Sequence, residues 1–331
     1  MVLRQLCSLP RLHFRAFGLI LGILLLASHA HASVGDKLPE FKECVEVCIN
    51  ENCGAGDANI PIFHRLLLWD CPSECDYTCQ HIITDRRVVE GEEVVQFHGK
   101  WPFYRFLGMQ EPFSVLFSFL NFSGHHVGLA KIKANIPAFY PLRQYYIYIA
   151  YLGMASWTFS MIFHTRDFTL TEQLDYFGAG ANVLYGLYYS VVRVFRLDQG
   201  GKKTRSVLKA WTLLCITLYL CHVAYLKWYT WDYTYNMAAN VVVGIFQNIL
   251  WSWFSIDKYR KSKRTWAAWP GLMVAWLLVA MSLELLDFPP WLGCIDAHSL
   301  WHLGTVVPTF VMYNFLLKDA EDDIARTRLK A

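Results

Sequence analysis

Charge is scarce in this sequence. Only 17% of its 331 residues are Asp, Glu, Lys or Arg, whereas 55% are hydrophobic and 16% aromatic. That balance excludes a pair of ordinary soluble domains, which could not bury so much apolar surface. No long basic run is present and the formal net charge is +3, so nothing in the charge pattern invites nucleic acid. Zinc-finger cysteine spacings are also missing, which argues against a structural zinc cluster. The C-terminal Arg326-Thr-Arg-Leu-Lys-Ala331 carries no retrieval signal of the Lys-Asp-Glu-Leu kind and names no compartment.

What remains has the outline of an all-α membrane protein. Arg4, Arg11 and Arg15 precede an apolar run over 17–27 that ends in Ala30-His31-Ala32, the pattern of a secretory signal peptide (1–32) cleaved after Ala32. The alternative is an uncleaved anchor, for which the run falls short of the ~20 residues a span requires. Six of the ten cysteines then crowd into 33–100 as Cys44, Cys48, Cys53 and Cys71, Cys75, Cys79. Behind a signal peptide they predict disulfides, which suit a luminal domain too small for a large core. Spacings near four put the sulfurs on one face of each of two helices. Many connectivities stay open, and the expected one is nested: Cys44 with Cys79, Cys48 with Cys75, Cys53 with Cys71. A zinc cluster is the alternative. His64, His81 and His98 share no spacing and read as surface or packing residues, while Cys215, Cys221 and Cys294 read as buried thiols.

Seven apolar stretches follow, at about 111–130, 144–164, 174–195, 208–226, 236–255, 268–287 and 298–317. They predict a seven-transmembrane helix bundle over 101–317 with a tail at 318–331. Gly124, His125 and His126 shorten the first, and the two histidines are expected at its interfacial end. The loops after spans one, three and five hold thirteen basic residues; those after two, four and six hold only Arg166 and Lys227. The positive-inside rule therefore places the first set, and the tail, in the cytosol. The cysteine segment falls in the lumen, as a signal peptide also requires. Asn121-Phe-Ser123 has the form of a glycosylation acceptor, yet lies inside span one and is expected to stay bare.

This orientation brings five polar residues to one depth just inside the luminal face. Span two ends at His164, with Ser160 one turn earlier on the same side. Span three begins with Asp175 in its first turn, and span seven begins with His298 and His302. Ionisable groups at such depth are costly and generally functional. Three histidines with an open fourth position form the catalytic type of zinc (Zn2+) site, in which bound water becomes acidic near pH 7. Asp175 would hold or deprotonate that water, and Ser160 would donate to water or oxyanion. Each residue also has a plainer reading: Ser160 as a helix-packing serine, Asp175 as a partner for the helix dipole, Asp296 as the cap of span seven. Glu284 and Asp287 read as structural, with lining a substrate entrance the alternative.

The motifs Gly99-Lys-Trp-Pro-Phe-Tyr-Arg105, Gln110-Glu-Pro112, Phe163-His-Thr-Arg-Asp167, Leu174-Asp-Tyr-Phe177, Tyr235-Asn-Met-Ala-Ala-Asn240, Leu283-Glu-Leu-Leu-Asp-Phe-Pro-Pro290 and Asp296-Ala-His-Ser-Leu-Trp-His302 resemble the Per-type family of glycosylphosphatidylinositol (GPI) remodelling proteins. That family sits within a superfamily of seven-span hydrolases that includes alkaline ceramidases and adiponectin receptors. The resemblance implies a phospholipase A2-type hydrolase that removes the sn-2 acyl chain of the GPI lipid on anchored proteins. It also implies zinc held by His164, His298 and His302, with Ser160 and Asp175 positioning water. The expected setting is the endoplasmic reticulum or Golgi membrane, with membrane lipid and GPI lipid as partners. The rivals are a ceramide amidohydrolase and a non-catalytic lipid receptor or export chaperone. No role for the cysteine segment follows from the resemblance.

Overall fold

The computed structural model describes residues 33–54 and 60–328, so the expected leader at 1–32 and the end of the tail lie outside the described residues. At the N-terminal side are α1 (Val34–Lys37), α2 (Pro39–Asn52), α3 (Ile62–Leu66) and α4 (Cys71–Val89). Asp70 caps α4 by accepting from the Ser73 amide at 2.9 Å, one turn inside the helix, and a proline occupies its first turn. Three bridges staple α2 to α4 in the nested order: Cys44–Cys79, Cys48–Cys75 and Cys53–Cys71, with Cα separations of 5.8, 5.6 and 5.6 Å. Spacings of four and five on one helix and four and four on its antiparallel partner permit this ladder, and it consumes the thiolates that a zinc cluster would need. A small core of Phe41, Cys79, Ile83 and Phe97 lies beneath the bridges.

Seven long helices follow: α5 (Pro112–Asn135), α6 (Arg143–Thr165), α7 (Thr169–Val194), α8 (Lys202–Ala224), α9 (Tyr233–Ser262), α10 (Trp269–Leu286) and α11 (Ala297–Arg328). Five of them, α6 and α8 to α11, are long and apolar enough to cross a membrane. The other two, α5 and α7, also bury polar residues, among them Ser118, Asn121 and His125 on α5 and Arg193 on α7. α5 packs against α6 and α11, while α7 packs against α6 and α9. Among the described residues there is no strand, only three isolated bridges.

Short connections make the bundle run up and down, so α6, α8 and α10 end where α5, α7, α9 and α11 begin. The disulfide lobe sits at that end, where Gln110 and Glu111 donate their amides to the carbonyls of Thr165 and His164 at 3.0 Å each. At the opposite end, Arg193 grips the buried Asp319 at 2.6 and 2.7 Å, and Arg196 grips Asp323 at 2.6 and 2.9 Å. These bidentate pairs tie α7 to α11.

Several expectations need correction. α5 is longer than its clean apolar run, so His125 and His126 lie mid-helix and not at an interface. His125 is 5% exposed, packs on Gly153 and shares a 2.8 Å hydrogen bond with the Tyr313 hydroxyl; His126 is exposed. The polar start of α7 conceals a helical turn: the chain becomes helical at Thr169, where Thr171 Oγ1 accepts from the Phe168 amide. Asp175 therefore lies in the second turn, not the first. Cys221 is exposed, in contrast to buried Cys215 and half-buried Cys294. Asn121 is fully buried, its amide donating to the carbonyls of Phe117 and His302 at 3.0 and 2.8 Å.

Candidate metal centre

Two helices deliver one imidazole cluster at the lobe end of the bundle. His164 is in the last turn of α6; His298 and His302 are one turn apart near the start of α11. Asp296 caps α11 by accepting from the Ser299 amide at 2.8 Å, as its plainer reading predicts, and so fixes the helical register of both histidines. The ring centroids are 5.1 Å (His164–His298), 5.0 Å (His164–His302) and 4.5 Å (His298–His302) apart. One ligand atom from each lies within 4.8 Å of the others, so the three could hold a metal ion.

The δ-nitrogens are all engaged. His164 Nδ1 donates to Glu111 Oε2 at 2.7 Å, and His298 Nδ1 donates to Glu284 Oε2 at 2.7 Å. His302 Nδ1 lies 2.9 Å from Ser118 Oγ and 3.4 Å from the Ser114 carbonyl. That leaves the ε-nitrogens for the centre of the cluster, and His164 Nε2 is buried without a hydrogen-bond partner among the described residues. A buried orphan of this kind is costly unless a ligand takes it. Histidines that ligate metals commonly have their other nitrogen held by a carboxylate, carbonyl or water. The donor set thus fits a metal ion of the zinc type.

Ser160 is 4% exposed and joins the cluster indirectly, with its Oγ 3.0 Å from Ser118 Oγ. Asp175 faces His164 and His298 electrostatically, as well as Lys100 and Glu111. No donor among the described residues reaches its carboxylate. Ser160 and the three histidines singled out in the sequence therefore come together, and Asp175 lies within electrostatic reach of two of the rings.

Sequence reasoning missed Glu111, Lys100 and Ser118, and its structural reading of Glu284 did not name His298 as the partner. Lys100 Nζ bonds Glu111 Oε1 at 2.6 Å, approaches Asp167 Oδ2 at 3.3 Å and lies 4.2 Å from the centre of the Phe163 ring. The signal was available: Lys100, Glu111 and Glu284 all lie within the quoted motifs. Their partners, however, are 11 to 53 residues away in sequence. His164 and His302 are 2% and 4% exposed, whereas the side chain of His298 is 37% exposed, so the cluster opens on the His298 side.

Fold and centre together define a membrane-embedded helical bundle with a polar, metal-competent histidine cluster near one end, next to a disulfide-stapled lobe. The chain belongs to the Per1-like family, whose pattern matches residues 61–320. It is 40% identical over 314 residues to Protein PER1 homolog of Schizosaccharomyces pombe, covering 93% of each chain. It is 35% identical over 321 residues to GPI-specific phospholipase A2-like PGAP3 of Homo sapiens, covering 92% of this chain and 98% of that one. To the Xenopus laevis protein of the same name it is 38% identical over 304 residues, covering 90% and 93%. No solved structure matches.

Proposed function

We propose that this protein is a zinc-dependent acyl-ester hydrolase of the phospholipase A2 type, which removes the sn-2 fatty acid from the GPI anchor of membrane-attached proteins. The observation that carries the reading is the convergence of three imidazoles whose δ-nitrogens are all held, leaving the ε-nitrogens free for a metal. The names of the relatives supply the substrate class. A centre at the end of the bundle suits a lipid ester near headgroup depth, and the charge bias of the loops supports a luminal position in the endoplasmic reticulum or Golgi membrane.

Zinc held by His164, His298 and His302 would supply a Lewis acid that polarises the ester carbonyl and acidifies water. Glu111 and Glu284 hold two of the rings by accepting their Nδ1 protons, so those rings cannot turn their ε-nitrogens away. The third ring sets the polarity of a short chain. With His302 Nε2 facing the centre, Nδ1 carries the proton and donates to Ser118 Oγ. Ser118 then donates its own hydrogen bond to Ser160 Oγ, and the Ser160 hydroxyl is left to donate to the oxyanion that develops on the ester oxygen. Asp175, which receives no protein donor, accepts the proton of the attacking water and passes it to the sn-2 oxygen as the ester C–O bond breaks. The products are a fatty acid and a lyso-GPI lipid.

The test pairs metal analysis of the purified protein with mass spectrometry of GPI lipids from cells carrying His298→Ala. Loss of zinc together with retention of the sn-2 chain is expected. Normal remodelling in that variant would sink the catalytic reading, and release of a sphingoid base by the wild type would redirect it to ceramide.

A further inference from the structure

Three short turns at the lobe end share a backbone design, each with two successive residues in the left-handed region. They are His98-Gly99 (φ 52° and 79°), Leu107-Gly108 (51° and 81°) and Leu292-Gly293 (54° and 68°). Glycine takes the second position at no steric cost, and the first ordinarily goes to Asn, Asp or Gly, or to another residue at ease there such as His. His98 conforms, and its ring sits in water between Asp36 and Asp76. Leu107 and Leu292 do not conform, and packing does not compensate, because they are 54% and 92% exposed. Leu68 is a third left-handed leucine (φ 61°), and it is 68% exposed. In water a polar residue would serve each of these positions better on both backbone and solvation grounds.

The three leucine sites are wired together and held at bundle height. Trp69 Nε1 donates to the Gly108 carbonyl at 2.8 Å, which joins the Leu68 and Leu107 sites. The Tyr104 amide donates to the Gly293 carbonyl at 2.8 Å, which joins the segment before Leu107 to the Leu292 turn. Leu292 lies between the end of α10 and the start of α11, and the Gln110 amide bond to Thr165 holds the Leu107 turn beside the end of α6. This is the level at which α6 and α10 end and α11 begins. Phe106 and Trp291, beside two of the leucines, are 59% and 60% exposed, and Trp228 and Tyr229, in the π-helical turn Tyr225–Tyr229 that continues α8, are 80% exposed each. Exposed aromatics at one helix-end level mark a membrane–water interface.

We infer that the left-handed leucine turns at Leu68, Leu107 and Leu292 are lipid-seated tips, which enter the headgroup–acyl boundary of the leaflet at this end of the bundle. The occupant of the apolar surface is that leaflet. The His298 opening of the centre is thereby set level with the lipid. The consequence for catalysis rests on the proposed hydrolase reading; the seating itself does not.

The test reconstitutes the full chain in phosphatidylcholine vesicles containing a phosphatidylcholine with a photoactivated diazirine near the carbonyl end of one acyl chain. Labelled peptides are then mapped by mass spectrometry. Labels are expected on the peptides holding Leu107 and Leu292 as well as on the outer faces of α8 and α10. Replacing both, Leu107→Asp with Leu292→Asp, should lower turn labelling several-fold and leave helix labelling unchanged. Turns that stay unlabelled while the helices label, or that cross-link to another protein copy, overturn the inference. Leu107→Asn with Leu292→Asn guards against misfolding, since Asn suits the left-handed region: Tm in detergent should hold or rise while turn labelling falls. Unchanged turn labelling in that variant also refutes the seating. Labelling needs no turnover, so failure of the hydrolase reading would leave this result intact.

Discussion

Glu111→Gln separates two jobs that one carboxylate performs. Glu111 is 4% exposed and bridges Lys100 at 2.6 Å to His164 at 2.7 Å. Gln can still accept one hydrogen bond, but it is neutral. On the histidine side, loss of a partner that orients a ligand costs about 10–100-fold in metal affinity, or roughly 1.4–2.8 kcal/mol. On the lysine side, Lys100 has a 19% exposed side chain and keeps only Asp167, at 3.3 Å, as an anionic partner. Breaking a buried pair and stranding one charge costs about 3–5 kcal/mol, and the exposure of Lys100 and its remaining partner place the cost at or below the lower end. The pair Glu111→Gln with Lys100→Met removes the stranded ammonium. It should recover most of the folding stability without recovering metal affinity. Zinc retention in a chelator titration and Tm on the purified full chain read the two effects separately. Wild-type zinc retention by folded Glu111→Gln, or recovery of metal affinity in the double variant, would refute the reasoning.

Three other outcomes follow from the structure. Gly153→Ala would drive a methyl group into the His125 ring, where α5 and α6 meet, and overpacking of this kind costs about 1–3 kcal/mol; a Tm equal to wild type would show that the helices can part freely. Removing the middle bridge with Cys48→Ser and Cys75→Ser opens a separation of 27 residues, worth at most about 3.5 kcal/mol. The flanking bridges already restrain that loop, so the loss of unfolding free energy in a denaturant titration should be smaller, and a loss above that bound would contradict the ladder. In the lobe, the Asp76 hydrogen bond raises the pKa of His98 against the opposing effect of burial, with help from the charges of Asp76, Asp36 and Asp167. A raised folded value means that the stabilisation is complete below the ordinary 6.5 and is lost as pH rises through the folded value. Tm should therefore fall above that window in the wild type, and His98→Ala should flatten this part of the profile; an unchanged profile in the variant would assign the dependence elsewhere.

The helices and the polar cluster were legible in the sequence because they are encoded in short-range patterns. Apolar runs mark the long helices, and an (i, i+4) pair such as His298 and His302 lies on one helix face whatever surrounds it. The nested bridges belong to the same class, since repeated spacing on two helices admits that ladder directly. Tertiary structure alone decided which groups hold the histidines. Glu111 is 53 residues from His164, and Ser118 is 184 residues from His302. It also decided that the lobe is wired into the centre through Lys100 and Glu111. Helix ends were blurred for a related reason: the polar residues that open α7 look like loop until capping at Phe168 and Thr171 makes them a turn, which moved Asp175 inward. Periodicity records which face a residue occupies, but only packing decides what that face meets. For Glu111 that was the imidazole of His164, and for Leu292 packing among the described residues leaves the residue 92% exposed.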